Sequence, residues 1–351
     1  MTEETTVPYR LPAEWETQSG VLLTWPHAKT DWAPRLDAVE PVFAAIGATI
    51  ARHESLLVVC QDAEHRAQVI AELTRAGADL DRVQIGIAPA DDTWARDHGP
   101  ITVVADGQPL LLDFVFNGWG GKFPASQDNL LTRNLAAQGR FGTVPVREVD
   151  LVLEGGSIES DGIGTVMTTR QCLLTPTRNP GLSETEIEQR LLEHLGATRV
   201  LWLSHGHLEG DDTDGHIDTL ARFCDASTIA YVTCEDPADP QHAELAKLAE
   251  ELGRLRTLAG EPYRLIPLPL PAAVFDEGSR LPATHANFLV INGAILVPVY
   301  EDPNDAVALE RLGNAFPDRS VIGIDCRELI RQGGSLHCLT MHFPAGVLPQ
   351  G

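Results

Sequence analysis

Cysteine is scarce in this chain, and the few cysteines are widely spaced. They form no CxxC pair and no compact cluster, which argues against a disulfide framework and against a zinc knuckle. We expect most of them to be reduced and buried as small apolar side chains. The complete set among the 351 residues is Cys60, Cys172, Cys224, Cys234, Cys326 and Cys338.

Positive charge is also in short supply. Lysine and arginine together number 26 against 50 acidic residues, so the formal net charge is −24. This excess argues against nucleic acid and anionic membranes as partners. It would attract a cationic ligand, although on charge alone the simpler interpretation is an acidity that keeps a cytosolic protein in solution.

Long apolar runs and flexible linkers are missing as well. No apolar run approaches the roughly 18 residues of a membrane-spanning helix. The start, MTEETTVPYRLPAEW, has no basic segment followed by an apolar one, which predicts a cytoplasmic protein. No stretch rich in Pro, Gly and Ser marks a domain boundary, and 43% hydrophobic residues can bury a large core. We therefore expect one domain over residues 1–351.

Five helical stretches are predicted, each followed by a short strand rich in Val, Ile and Leu. One of them begins with a capping box, Ser183 with Glu186, and ends before Gly196. Two others follow an acidic residue and a proline, which fits the first turn of a helix. The predicted helices are Leu36–His53, Asn129–Gln138, Ser183–Leu195, Pro240–Leu258 and Pro303–Phe316.

A polar segment that opens a β-hairpin follows each of these strands. The fifth hairpin lacks its second strand, which the N-terminal segment SGVLLTWP can supply. Five copies of a hairpin, helix and strand unit predict a single closed, fan-like α/β domain in which neighbouring units bury one another's faces. A two-domain, doubly wound fold is the alternative, but it leaves the repeat unexplained.

The hairpin openings carry most of the unusual polar residues. In a ring of repeats, equivalent positions meet at the axis, so these residues are expected to share one pocket. They are Trp94, Arg96 and Asp97; Glu154, Gly155 and Gly156; Asp212, Asp214, His216 and Asp218; Thr284, His285 and Asn287; and Gly333, Gly334, His337 and Cys338.

Cys338 is the candidate nucleophile among them. It lies between a Gly-Gly pair and the strand LTMHF, whereas the other cysteines lie in or beside apolar runs and are expected to be structural. A lone cysteine is more often a buried apolar residue. The expected arrival of His216 at the same pocket favours the catalytic interpretation, because thiolate attack needs a proton donor for the leaving group.

Three carboxylates are candidate partners of this pair. His216 and Asp218 are two residues apart at the start of a strand, so their side chains point to the same side. Glu154 is a candidate to orient the histidine ring and raise its pKa. Asp97 and Asp218 together would suit a planar cation with several N–H groups. The alternatives are an acidic surface turn for residues 211–218 and pairing of Asp97 with Arg96.

A metal site is a rival interpretation of the segment HGHLEGDDTDGHID. Its two histidines in HxH spacing and its carboxylates resemble metal-hydrolase ligands. His205 and His207 would have to converge with His216 across a turn. The segment is not an EF-hand, because Gly210 and Ala221 stand where acidic ligands are needed.

Six motifs in a fixed order resemble the agmatine deiminase family, the bacterial peptidylarginine-deiminase-like group of the guanidino-group modifying superfamily. They cover almost the whole chain, and each is weak alone. They are LPAEWETQSGVLLTWP (11–26), TWARDHGP (93–100), FNGWGGK (116–122), LEGGSIESDGIGT (153–165), DTDGHID (212–218) and GGSLHC (333–338).

The resemblance implies a five-bladed α/β propeller, a small cationic substrate and no metal or cofactor. It implies that Cys338 is the nucleophile, His216 the general acid and then base, and Glu154 its supporting carboxylate. Asp97 and Asp218 would hold the guanidinium group. Trp94 and Trp119 would wall the pocket, although core packing explains them equally well. A homodimer is also implied.

The cysteine segment departs from the plant-type pattern, because GGSLHC and LTMHFP stand where GGGNIHC and glutamines are expected. This leaves agmatine, free arginine and peptidyl arginine as candidate substrates. The charge of −24 suits dicationic agmatine, with Asp212 as a candidate for its distal amine. A non-catalytic binding module of the same fold is the alternative of another class, and retention of Cys338 and His216 argues against it.

Overall fold

The computed structural model describes residues 9–349, and nearly all of its strands are short. The acidic segment 1–8, on which the expectation of a missing secretion signal partly rests, lies outside this range. The strands are β1 (Gln18–Thr24), β2 (Ser55–Cys60), β3 (Val83–Ile87), β4 (Ile101–Ala105), β5 (Gln108–Val115), β6 (Val146–Val152), β7 (Ile158–Ser160), β8 (Thr165–Thr169), β9 (Arg199–Leu203), β10 (Ala221–Asp225), β11 (Thr228–Thr233), β12 (Arg264–Pro269), β13 (Phe275–Asp276), β14 (Ser279–Arg280), β15 (Leu289–Ile291), β16 (Ala294–Val299), β17 (Ser320–Asp325) and β18 (Thr340–Pro344).

The helices differ widely in length. Three are single turns that lie close to the candidate site, and the longer ones connect parallel strands. They are α1 (Leu36–His53), α2 (Ala63–Arg75), α3 (Ala95–His98), α4 (Gly118–Gly121), α5 (Leu131–Ala137), α6 (Arg170–Leu173), α7 (Glu184–Leu195), α8 (His242–Arg254) and α9 (Pro303–Ala315).

Five sheets repeat one topology. In each sheet, the first two strands pair antiparallel. A helix then leads to a third strand, which pairs parallel with the second. The sheet orders are β4-β5-β6, β7-β8-β9, β10-β11-β12, β15-β16-β17 and β18-β1-β2-β3, with β13-β14 as a separate small hairpin. These mixed sheets are unlike the single parallel sheet of a doubly wound fold. The chain therefore has an α/β fold built on five repeated units.

The N-terminal strand completes the fifth hairpin, as the sequence predicts. β1 pairs antiparallel with β18, with Leu22 opposite Met341, and parallel with β2 on its other side. The extension after β2 provides α2 and the fourth strand β3. The first and last strands of the described chain therefore lie in one sheet.

The predicted helix boundaries hold where local capping signals are strong. α1 has the predicted bounds, and α7 starts at its Ser183 capping box and ends at Gly196 in the left-handed conformation. The stretch predicted from residue 129 instead begins as a 3-10 turn, Asp128–Leu130, before α5. α8 is shorter than predicted because the backbone of Leu255 turns extended and Arg256 bridges to Pro262.

Buried apolar side chains form three clusters that connect successive units. The first joins β1, β2 and α1 to the β15-β16-β17 sheet, the second joins β1 and β2 to the next two sheets, and the third joins β8 to the last two sheets. Each unit therefore buries its apolar face against its neighbours, which is how short repeats gain stability. No helix within residues 9–349 is long and apolar enough to cross a membrane.

Candidate active site

Four hairpin openings place the candidate catalytic side chains at equivalent positions of their units. Asp97 lies in α3, just before β4, and Glu154 precedes a 3-10 turn that leads into β7. His216 precedes another 3-10 turn before β10, and Cys338 lies two residues before β18. Residues far apart in sequence thus arrive together because each occupies the same place in a repeated unit.

Cys338 is buried, and its thiol lies against two oxygen atoms. Its Sγ is 3.4 Å from Asn287 Oδ1 and 3.7 Å from Asp218 Oδ2. The Asn287 amide oxygen also accepts hydrogen bonds from the backbone N–H groups of His337 and Cys338, at 2.9 and 3.3 Å. Asn287 therefore fixes the backbone turn that presents the thiol, a role that nothing in the sequence indicates beyond its place in a hairpin opening.

His216 is fully buried beside Asp97, with its Nδ1 3.6 Å from Asp97 Oδ1. A Cβ atom placed on Gly156 would lie 2.6 Å from His216 Nδ1, 2.8 Å from Asp97 Oδ1 and 3.2 Å from Asp218 Oδ2. One point thus touches all three side chains. Gly156, the second glycine of LEGGS, has no side chain and therefore leaves open the space where these three side chains meet.

Asp97 is held by neutral hydrogen-bond donors and does not pair with Arg96. Trp119 Nε1 donates to Asp97 Oδ2 at 2.9 Å, and the Gly156 N–H donates to Asp97 Oδ1 at 3.0 Å. Arg96 lies instead near Glu14, 3.6 Å away. Within residues 9–349 no arginine neutralises Asp97, and its ion-pair partner is His216, 3.6 Å away.

Glu154 contacts a buried arginine as well as the histidine site. Arg178 Nε donates to both Glu154 oxygens, at 2.8 and 3.0 Å, and its terminal nitrogen pairs with Asp214 at 2.7 Å. A Glu154 oxygen, the Cys172 sulfur and a His216 ring nitrogen lie within 4.8 Å of one another. Cys172, which the sequence analysis assigned to packing, is thus a neighbour of the candidate acid–base residue.

Asp218 is linked to a second buried carboxylate through His337. His337 Nδ1 lies 2.8 Å from Asp218 Oδ2, and its Nε2 lies 2.8 Å from Glu14 Oε2. Glu14 in turn accepts a hydrogen bond from Arg222, which also pairs with Glu159. This chain of contacts fixes the orientation of the Asp218 carboxylate.

The site has strongly shifted pKa values. Burial, followed by the carboxylates of Asp218 and Asp97, raises the pKa of the Cys338 thiol well above its usual value. Burial lowers the pKa of His216, but the Asp97 carboxylate and then Cys172 outweigh it and raise the pKa well above 6.5. Burial raises the pKa of Asp97 to about 6, against the opposing charge of His216. The site without a ligand therefore combines a neutral thiol with an imidazolium.

A cavity of about 340 Å³ opens onto Cys338. The indole groups of Trp94 and Trp119 line it while also packing in the core, so both expected roles apply to them. A Cβ on Gly334 would lie 2.2 Å from the Trp94 ring, which explains the Gly-Gly pair before the cysteine. The candidate site residues on its walls are Trp94, Asp97, Trp119, Asp212 and Cys338.

The outer walls carry more available negative than positive charge. Asp92 and Asp212 line the cavity, and burial with a neighbouring carboxylate raises their pKa values to about 7 and about 6. Arg280 and Arg331 also line it, but both are already paired: the first with Asp239 and Glu209, the second with Asp276 and Glu328. The cavity therefore suits a ligand with positive charge at both ends.

The positions of His205 and His207 exclude a metal site that joins them to His216. His205 pairs with Glu244 of α8 at 3.1 Å, and His207 is exposed, whereas His216 is buried at the site. His285, also named from the sequence, lies between a backbone carbonyl and Asp305 of α9. These histidines do not converge on one ligand.

The comparisons with known proteins agree with the motif resemblance. The Porphyromonas-type peptidyl-arginine deiminase family model matches residues 10–344. The agmatine deiminase of Pseudomonas aeruginosa is 32% identical over 96% of each chain.

Two solved structures are similar over nearly the whole chain. A structure of C. jejuni agmatine deiminase, a cysteine-to-serine variant with substrate bound, is 36% identical, covers 97% of both chains and superposes with a TM-score of 0.90. A provisionally named arginine deiminase of Porphyromonas gingivalis is 52% identical, covering 97% of this chain and all of its own, with a TM-score of 0.92. The chain belongs to the Porphyromonas-type peptidyl-arginine deiminase family.

Proposed function

We propose that this protein hydrolyses agmatine to N-carbamoylputrescine and ammonia through a covalent amidino-cysteine intermediate. The observation that carries the proposal is the position of the Cys338 thiol, 3.7 Å from Asp218 and at the base of a cavity that Asp97 also lines. A buried thiol beside two carboxylates can attack a bound guanidinium group. Relatives of this chain in P. aeruginosa and C. jejuni are agmatine deiminases.

Asp97 and Asp218 would bind the guanidinium group. Their oxygens lie within 2.8 and 3.2 Å of one point beside Gly156, so they converge. Carboxylates accept pairs of N–H bonds from a planar guanidinium, and burial strengthens the attraction. Trp94 and Trp119 would enclose the cation between apolar faces.

The bound cation would also activate the nucleophile. In the free site burial, and then the two carboxylates, raise the pKa of Cys338 and so oppose its ionisation. A guanidinium between Asp97 and Asp218 neutralises them and places positive charge beside the sulfur, which favours the thiolate. The thiol would thus ionise only when a substrate is present, and its proton would pass to solvent because His216 is already protonated.

His216 would carry the protons of both half-reactions. The thiolate adds to the guanidinium carbon, and the protonated imidazole donates a proton to one amino group, which leaves as ammonia. The neutral imidazole then takes a proton from water that attacks the amidino-cysteine carbon. Collapse of the adduct releases the carbamoyl product and the Cys338 thiol, so atoms and charge balance without a metal or cofactor. Glu154 would help to keep the ring protonated at the start.

The charge distribution in the cavity favours agmatine over arginine. Asp212, with a pKa of about 6, is mostly ionised at neutral pH and offers negative charge to a distal amine, and a bound amine would also favour the ionised form of Asp92. Arg280 and Arg331 are already paired. A carboxylate brought into this cavity would lose water without gaining a free cation. Free or peptidyl arginine is the second candidate, because the family model and the P. gingivalis relative carry arginine-deiminase names.

One assay separates these substrates. Ureido-product formation is measured with agmatine, arginine and a peptidyl-arginine ester at equal concentrations. A kcat/KM highest for agmatine supports the proposal. A higher value for either arginine substrate would reject agmatine, and no product from any of them would reject the deiminase function.

We further propose that the five units form one five-bladed propeller domain around this site. The three apolar clusters, which join each unit to the next and the fifth to the first, support ring closure. The expected cytoplasmic location and homodimer are also proposals. Cell fractionation tests the first, and light scattering of the purified protein tests the second.

A further inference from the structure

Cys172 has no part in the proposed reaction, yet it is held against the acid–base histidine. It lies in the single-turn helix α6 and is fully buried. Thr169 Oγ1 accepts a hydrogen bond from the Cys172 N–H at 3.3 Å and donates one to the carbonyl of Gly215 at 2.7 Å. Through Thr169, α6 is thus hydrogen-bonded to Gly215, the residue before His216. These contacts fix the distance between the Cys172 thiol and the His216 ring.

Three different donor groups meet at this place. A Glu154 oxygen, the Cys172 sulfur and a His216 nitrogen all lie within 4.8 Å of one another, and all three residues are fully buried. Neither ring nitrogen of His216 has a hydrogen-bond partner among residues 9–349. Once deprotonated, this buried imidazole presents a free donor atom to a ligand, and each Glu154 oxygen keeps a lone pair besides the one that accepts from Arg178.

The donor set is selective for one class of ion. Sulfur, imidazole nitrogen and carboxylate oxygen together suit zinc, which takes four ligands in a tetrahedron. Magnesium and calcium prefer sites made only of oxygen atoms. Three protein groups leave a fourth position for water. Asp97, 3.6 Å from His216, lines the cavity, so a single side chain links the cavity to this donor set.

We propose that Glu154, Cys172 and His216 form an inhibitory binding site for zinc. Binding releases the Cys172 thiol proton and one His216 ring proton to solvent, so that a sulfur–zinc bond forms and the deprotonated His216 nitrogen donates its lone pair to the ion. The ring can then neither give a proton to ammonia nor take one from water. The inhibition rests on the proposed role of His216, whereas metal binding does not depend on it.

Cobalt(II) spectroscopy tests binding without any turnover. Cys338→Ala protein, which lacks the proposed nucleophile, is titrated with cobalt(II), a spectroscopic substitute for zinc. We expect a near-ultraviolet band from thiolate-to-cobalt charge transfer and visible bands of four-coordinate cobalt. The Cys172→Ser change in the same protein should remove the charge-transfer band, whereas Cys234→Ser should leave it. Absence of the band in Cys338→Ala, or its persistence after Cys172→Ser, would overturn the proposal.

Zinc inhibition of the active enzyme provides the second readout. We expect Cys172→Ser to raise the zinc concentration for half-inhibition at least tenfold and Cys234→Ser to leave it unchanged. Chelation should reverse the inhibition. Equal inhibition of both variants would place the ion elsewhere, for example between Cys338 and His216, and would reject this site. If the protein has no deiminase activity, the cobalt experiment still decides whether the site exists.

Discussion

The imidazole of His337 lies 2.8 Å from Asp218 Oδ2, the same carboxylate oxygen that lies 3.7 Å from the Cys338 thiol. Burial raises the pKa of Asp218, but the hydrogen bond and charge of His337 outweigh it and lower the pKa below its usual value. Cys338 follows His337 directly in sequence. The residue before the proposed nucleophile thus lowers the pKa of the carboxylate beside it.

Removal of this contact should weaken substrate binding. We expect His337→Ala to raise KM for agmatine at least tenfold, about 1.4 kcal/mol, because Asp218 loses a donor and is less fully ionised. His337→Asn, whose side-chain amide can replace the Nδ1 hydrogen bond, should restore part of the loss. Steady-state kinetics and a melting curve separate the two effects. Equal KM values in wild type and a folded His337→Ala protein would remove His337 from the site.

Cys338→Ala should abolish turnover and leave the fold intact, because it removes the nucleophile and little buried volume. Cys60 and Cys224 lie in the core, so changes there should lower thermal stability instead. Product formation and circular dichroism measure the two outcomes. Retained activity in Cys338→Ala, or substrate trapped on another cysteine by mass spectrometry, would contradict the assignment.

Substrate choice should exceed a factor of ten in kcat/KM in favour of agmatine over arginine. Asp212→Asn should reduce this ratio if its carboxylate attracts the distal amine. The preference should persist in added salt, because charges inside a cavity are screened less than exposed ones. An unchanged ratio in Asp212→Asn would assign the discrimination to other groups, with Asp92→Asn as the matched comparison.

The acid limb of the pH profile should report Asp97. Its pKa of about 6 means that the carboxylate gains a proton as pH falls through 6. The neutral acid cannot attract a guanidinium, so kcat/KM should fall below that pH. Trp119→Phe removes the indole hydrogen bond that lowers the pKa of Asp97, and it should therefore move the limb to higher pH. If the acid limb lies at the same pH in Trp119→Phe and wild type, a group other than Asp97 controls it.

Activity should survive exhaustive chelation, because no step of the proposed reaction uses a metal. A metal hydrolase would lose its activated water under the same treatment. If purified protein carries zinc at the Cys172 site, chelation should raise activity. Loss of activity, restored by one added metal, would bring back the metal-hydrolase hypothesis.

The sequence predicts most of the repeated architecture because its signals are local. The capping box at Ser183 and the left-handed Gly196 mark the bounds of α7 without knowledge of the rest of the chain. The equivalence of the hairpin openings then brings Asp97, His216 and Cys338 to one place. Local pattern and repetition together thus account for these elements.

The surroundings of the site could not be predicted in the same way. Arg178 and Cys172 follow ordinary strand and turn patterns, and only tertiary packing places them beside Glu154 and His216. Glu14 lies in an N-terminal loop, more than 300 residues from its partner His337. Such contacts depend on how units pack, and no periodicity or capping signal encodes them.

The pairing of β1 with β18 also sets an order of events during synthesis. Leu22 and Met341 pair although more than 300 residues separate them. At about 5–20 residues per second on the ribosome, β18 is synthesised roughly 15–60 s after β1. One edge of β1 is unpaired during that time, and unpaired edges invite association with other chains. Because Cys338 lies two residues before β18, the nascent chain receives its proposed nucleophile and closes this sheet at nearly the same moment.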